Sequence, residues 1–138
     1  MKTLWDLYQQ TIFLLEQPLS RQINFAVITA YNPLGQILTL GTNHIRDKAL
    51  QSDIMSLRHP YRKVWGCSSE LDYSEKSWAV SMPKADAVKL ASKYQQNALY
   101  WVEQDRLYLL PCLLERASAV ELGAFSLRCK VQKAGCCK

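Results

Sequence analysis

The sequence predicts an α+β fold, on three observations. Short runs rich in β-favouring residues alternate with two longer stretches of helical periodicity. Pro- and Gly-bearing loops fall between them. Of 138 residues, 49% are hydrophobic and 21% charged, with only 5 Gly and 5 Pro, so apolar burial is sufficient to offset the entropy of ordering a single domain over residues 1–138.

At the amino end, Thr3 and Asp6 read as a capping box, and Leu4, Tyr8, Ile12 and Leu15 stand at helical spacing until Pro18, which predicts a first helix. Residues 24–30, Asn-Phe-Ala-Val-Ile-Thr-Ala, predict a buried strand. It runs into Tyr31-Asn32-Pro33-Leu34-Gly35, where proline removes a donor and glycine permits positive φ. Gly41-Thr42-Asn43 offers a helix start, Leu50, Ile54 and Leu57 form its apolar stripe, and His59-Pro60 ends it. Residues 61–67 then predict a strand. After a polar stretch, residues 77–82 alternate Trp78, Val80 and Met82 against Ser77, Ala79 and Ser81 as a second one.

Pro83 suits the first position of a helix carrying Ala87, Leu90, Ala91 and Tyr94 on one face. Strands at 98–102 and 106–110 flank the polar turn Glu103-Gln104-Asp105. Beyond Pro111, residues 113–122 predict a short helix and residues 124–131 a strand extending the sheet. The order is α, then β-α-β-β-α-β, then β. Six of these elements are the split β-α-β-β-α-β core of ferredoxin-like folds, two helices on one face of an antiparallel sheet, here with an N-terminal helix and one or two extra strands.

The net charge of +5 is lopsided. Arg128, Lys130, Lys133 and Lys138 supply four of the 17 cations, and none of the 12 carboxylates lies beyond Glu121, so the body is nearly neutral and residues 128–138 form a basic, Cys-containing tail. This distribution disfavours sequence-specific nucleic-acid recognition. Apolar runs fall short of a membrane span, and Trp5, Asp6, Gln9 and Gln10 interrupt any leader-like stretch, which predicts a cytoplasmic protein. Cys67, Cys112, Cys129, Cys136 and Cys137 fit no zinc spacing and read as reduced thiols. Cys67 and Cys112 are expected as small core residues; the cations near Cys129, Cys136 and Cys137 offer a means of lowering their pKa, but a frayed tail with oxidisable thiols is the favoured reading over a redox site. Removing residues 132–138 should leave the body folded, since they have little to bury.

Four motifs in order, Ile28-Thr29-Ala30-Tyr31-Asn32-Pro33, then Asn43 with Arg46 and Leu50, then Glu75-Lys76-Ser77-Trp78, then Tyr94-Gln95-Gln96-Asn97-Ala98, resemble an uncharacterised bacterial family, domain of unknown function 3293, over about residues 22–112. Lys76 stands where the family pattern favours Pro, and Tyr94-Gln95-Gln96 where it favours Phe-Gly-Gln. The family carries no assigned activity, so the resemblance implies fold boundaries and no function.

No nucleophile–base pair, phosphate loop, metal-ligand set or cofactor motif is present, so no catalytic residue, metal or cofactor is assigned. His44 and His59 read as surface residues, and the four tryptophans as core or interface. What remains is polarity at element ends: Thr29 and Asn32 after the first strand, Asn43 and Arg46 opening a helix, Glu75 and Ser77 opening a strand, Gln96 and Asn97 closing a helix. Each has a local explanation: Asn32 as a turn residue, Asn43 as a cap, Asn97 as a left-handed helix end. If they converge, they make a polar pocket with one guanidinium and one carboxylate, suited to a small anionic or amide-bearing ligand.

The favoured reading is a noncatalytic binding or regulatory module for a small molecule or a protein partner. The second is a small enzyme with Glu75 as general base and Arg46 orienting an anionic substrate, which a buried Glu75 of raised pKa would favour. The third is nucleic-acid binding through Arg58, His59, Pro60, Tyr61, Arg62 and Lys63 with the basic tail. An exposed Arg46 would be dispensable for folding.

Overall fold

A computed structural model describes residues 3–114 and 117–132. Thr3 caps the short helix α1 (Leu4–Tyr8) through the expected capping box: Asp6 N donates to Thr3 Oγ1 at 3.1 Å and Thr3 N to Asp6 Oδ2 at 3.0 Å. The helix stops there. Residues 12–15 form strand β1 (Ile12–Leu15) instead of continuing it. A four-residue spacing satisfies both periods, and Phe13, Leu14 and Leu15 are all buried, which a surface helix cannot achieve for three consecutive side chains.

Strand β2 (Phe25–Thr29) leads through a 3₁₀ turn at Pro33–Gly35 to helix α2 (Leu40–Leu57). Strand β3 (Tyr61–Cys67) keeps its expected bounds, and β4 (Ser74–Val80) begins three residues earlier than its alternation suggested. Pro83 is the N-cap of α3 (Lys84–Lys93), one residue outside the predicted helix start. Strands β5 (Ala98–Glu103) and β6 (Arg106–Pro111) follow. The predicted helix over 113–122 is not formed by its described residues. Val120–Ala124 is strand β7, Phe125–Arg128 is a 3₁₀ turn, and of the predicted terminal strand Ala124 ends β7 while Cys129–Val131 form β8.

Among the described residues eight strands make one mixed sheet in the order β7-β6-β5-β2-β4-β3-β1-β8. Among these eight only β1 with β8 is parallel. Four strands, β1, β6, β7 and β8, therefore flank the central four, where one or two were expected.

Helices α2 and α3 cover one face. Leu50 and Ile54 of α2 and Ala87, Leu90 and Ala91 of α3 pack on Ala26, Ile28, Trp78, Val80, Leu99 and Trp101. Leu57, assigned to that stripe from its spacing, is exposed at the helix end. The other face closes on itself. β7 and β8 are at opposite ends of the strand order yet only Phe125–Arg128 separates them, so the sheet curls until its edges approach. Inside the curl, Phe125 lies 5.0 Å from Phe13 and 5.3 Å from Phe25, ring centre to ring centre, among Val27, Val64, Ala79, Val102 and Leu107. Among the described residues no helix is long and apolar enough to cross a membrane.

Candidate functional site

The loop leaving β2 is held in a conformation that few residues adopt. Asn32 (φ 48°), Leu34 (φ 54°) and Gly35 (φ 77°) all have positive φ within four positions. Asparagine and glycine accept this region at little cost, whereas Leu34 is strained there. Contacts on both sides enforce it. Leu34 N donates to Gln95 O at 2.7 Å, and a Cβ placed on Gly35 would sit 2.6 Å from Leu4 Cδ2 of α1.

Asn32 is the hub of the loop. Its backbone N donates to Asn43 Oδ1 at 2.9 Å, and its Oδ1 accepts from Asn43 Nδ2 at 2.8 Å and Leu38 N at 3.0 Å. Its Nδ2 donates to Glu75 Oε2 at 3.1 Å and also meets the Tyr73 hydroxyl. Tyr73 OH donates to the same Glu75 oxygen at 2.6 Å. Asn32, Asn43 and Glu75 thus converge from the β2 loop, α2 and β4. Asn43 is not a cap: Thr39 fills that role, accepting from Thr42 N at 3.2 Å, and Asn43 points inward from the first turn.

Along β4, Trp78 and Val80 face the helices while Ala79 joins the core inside the curl. Strand alternation places Glu75 on the inner side with Ala79. Opposite Glu75 on β3 is Gly66, which carries no side chain to fill the space. Tyr100 stands nearby on β5, its hydroxyl donating to Tyr8 O at 2.5 Å and accepting from the Thr11 hydroxyl at 2.7 Å, and Asn97 Nδ2 donates to the Tyr8 hydroxyl at 3.4 Å.

Burial raises the Glu75 carboxyl pKa, against the opposing pull of the Tyr73 and Asn32 bonds. Burial, and then the Glu75 charge among the further causes, raises the phenols of Tyr8, Tyr73 and Tyr100. The cluster is thus a buried carboxyl among phenols, with burial opposing the charged form of each.

Arg46 corrects the sequence reading. It is half-buried, and its guanidinium donates to Ala30 O at 2.7 Å, Tyr94 O at 2.5 Å and Gln95 Oε1 at 3.4 Å. It clamps the end of β2 to the end of α3 and is not an open receptor for an anion. Gln96 assists, donating from Nε2 to Tyr31 O at 3.0 Å and Tyr94 O at 3.1 Å. The left-handed residue after α3 is Gln95 (φ 60°), not Asn97. Thr29 Oγ1 donates to Lys76 O at 2.8 Å, and Ser77 Oγ to Glu75 O at 3.2 Å; both brace the backbone around Glu75.

Sequence reasoning missed Asp47, Tyr73, Tyr8 and Tyr100. Asp47 is wholly buried and accepts from Lys76 Nζ at 2.9 Å and Trp78 Nε1 at 2.8 Å. Its signal was present: Asn43, Asp47, Leu50 and Ile54 share one helix face, so a carboxylate interrupts a buried stripe. Tyr73 lay in a stretch that read only as polar loop.

The other candidate features separate from this cluster. Tyr61 packs edge-to-face on Trp78 with ring centres 5.5 Å apart, so the cationic strip has no free aromatic platform there. His44 is exposed and His59 half-buried. Cys67 is buried, and Cys112 is partly buried against the helix-side core. Cys129 is not activated by its neighbouring cations: burial and then Asp105 push its thiol up to about 12. Cys136 and Cys137 lie outside the described residues. Among the described residues no group of His, Cys, Asp and Glu could hold a metal ion. An open depression of about 520 Å³ at the start of α3, between Met82, Pro83, Lys84 and Trp101, shares no residue with the Glu75 cluster.

No curated protein and no solved structure matches the chain. The family described as Protein of unknown function (DUF3293) matches residues 28–99, a segment that holds Asn32, Asn43, Tyr73 and Glu75 together with the clamp residues Arg46, Gln95 and Gln96. The chain belongs to this family.

Proposed function

We propose that the chain is a small ligand-binding module whose recognition point is the Glu75 carboxyl, and that it takes a neutral or cationic group rich in hydrogen-bond donors. One observation carries this reading: both bonds from Asn32 and Tyr73 land on Oε2, which leaves Oε1 for an incoming donor. The loop that supports the site also presents Leu34, Ile37 and Leu40 to solvent, an apolar rim beside a polar centre. Arg46 is engaged by carbonyls, so the ligand is an amine, amide or hydroxyl compound and not an anion.

A second reading, acid–base catalysis by Glu75, draws support from the same raised pKa. The order β5-β2-β4-β3, antiparallel at each contact with α2 and α3 as crossovers, supports treating this part as the ferredoxin-like split unit to which β1, β6, β7 and β8 are added.

The test is a chemical-shift titration of the labelled protein with panels of small amines, amides, polyols and carboxylates. Saturable shifts at residues 32–38 and 73–75 with donor compounds, lost in Glu75→Ala, are the expected result. Binding confined to carboxylates, or shifts unaffected by Glu75→Ala, would overturn the proposal. Turnover of a bound compound that Glu75→Gln abolishes without loss of binding would select the catalytic reading.

A further inference from the structure

The two ends of the curled sheet differ. Glu75 lies toward the Thr29 end of β2. At the other end, beside Phe25, a cavity of about 220 Å³ opens where the β7 and β8 edges approach. Its apolar wall includes Leu19, Phe25, Val102 and Phe125, and Arg21 and Asp105 also line it. An apolar cavity of about 150 Å³ suffices for one benzene ring. The space here therefore holds a single ring or a branched chain and has room beside it for a small polar head.

The two charged residues define that head. Arg21 is exposed and makes no ion pair or side-chain hydrogen bond among the described residues, so its donors are open to a carboxylate. Asp105 is fixed in place: its Oδ1 accepts from Ser126 N at 2.9 Å and its Oδ2 from the Ser126 hydroxyl at 2.6 Å. Each oxygen retains a second lone pair, and no cation neutralises it among the described residues. An anion alone would meet Asp105, and a cation alone would meet Arg21. A compound bearing both charges on one carbon beside an apolar group satisfies both residues and fills the wall.

We infer that this cavity is a binding site for an apolar α-amino acid, with carboxylate to Arg21, ammonium to Asp105, and side chain between Phe25 and Phe125. The site shares no residue with the Glu75 cluster and stands whether or not that cluster binds a ligand.

Calorimetric titration of the full chain with L-leucine and L-phenylalanine tests it, against 4-methylpentanoate and 3-phenylpropanoate, which lack the ammonium, and isoamylamine and phenethylamine, which lack the carboxylate. At least one amino acid should bind about tenfold or more tightly than both of its truncated partners, the factor expected for losing one charge-assisted contact. Arg21→Gln, at an exposed position that folding does not need, should remove that advantage over the amine. Asp105→Asn, which keeps an acceptor for Ser126, should remove the advantage over the acid. Equal binding of a truncated partner, no binding by either amino acid, or an unchanged preference in Arg21→Gln would each overturn the inference. If Asp105→Asn does not fold, the Arg21→Gln comparison alone decides.

Discussion

Asn32 and Asn43 hold each other reciprocally: the backbone amide of Asn32 donates to the Asn43 side chain at 2.9 Å, and the Asn43 side chain donates back to the Asn32 side chain at 2.8 Å. Both residues are buried, so neither bond can be replaced by bulk water when its partner is removed.

Asn43→Ala should therefore cost about 1–3 kcal/mol, the penalty for a buried polar group left unmet, and lower the melting temperature by several degrees. Melting of Asn43→Ala, Asn32→Ala and the double variant provides the check. The double variant should lose less than the sum of the two single losses, because one interaction is counted in both. Strict additivity would show that the pair is not coupled.

Arg46→Ala should also destabilise, by about 1.5–3 kcal/mol, because its charge-assisted bonds to Ala30 O and Tyr94 O tie two elements together. Arg46→Lys should recover little, since a single ammonium cannot reproduce the spread of donors. Urea unfolding of both variants decides. A parental midpoint for Arg46→Ala would restore the dispensable Arg46 expected from sequence.

The pH dependence of Glu75 has a definite sign. Its folded pKa is raised, so its favourable contribution to stability is complete below the ordinary carboxyl value and is lost as pH rises through the folded value. Glu75→Gln, which cannot ionise, should match the parent near pH 4 and equal or exceed it at pH 7. Thermal melting across that interval measures the difference. A variant that weakens only at pH 7 would mean the ionised carboxylate is structurally required.

The thiols of Cys112 and Cys129, pushed up to about 11 and about 12, should resist alkylation at pH 8. Each should react more than about a hundredfold more slowly in the folded chain than in urea, given an ordinary thiol value near 8.5. Mass-resolved labelling with iodoacetamide reports each site. Rapid labelling of Cys129 in the native protein would contradict its burial.

The central elements were legible because their signals are local. Residues 61–67 have strand-forming composition, Pro83 and the Ala87, Leu90 and Ala91 face mark α3, and Leu50 with Ile54 marks α2. β1 was misread because Leu4, Tyr8 and Ile12 fit two periods, and what decides between them is burial of Phe13, Leu14 and Leu15 against partners far along the chain. The site was partly legible for a related reason. Polar residues at element ends announced Asn32, Asn43 and Glu75, but nothing in a string shows that the Arg46 donors reach carbonyls from two other elements, or that Tyr73, from a polar loop, turns onto Glu75.

β1 and β8 lie side by side, pairing Phe13 with Cys129, so more than a hundred intervening residues must exist before that contact can form. During synthesis β1 can already pair with β3, but its outer edge waits for β8 to leave the ribosome. For that interval Phe13 and Phe25 also lack the ring of Phe125. The nascent protein therefore carries an open strand edge and an unfilled aromatic interior until Phe125 and β8 emerge, and chaperone dependence and aggregation should be most sensitive to changes in Phe125 and β8.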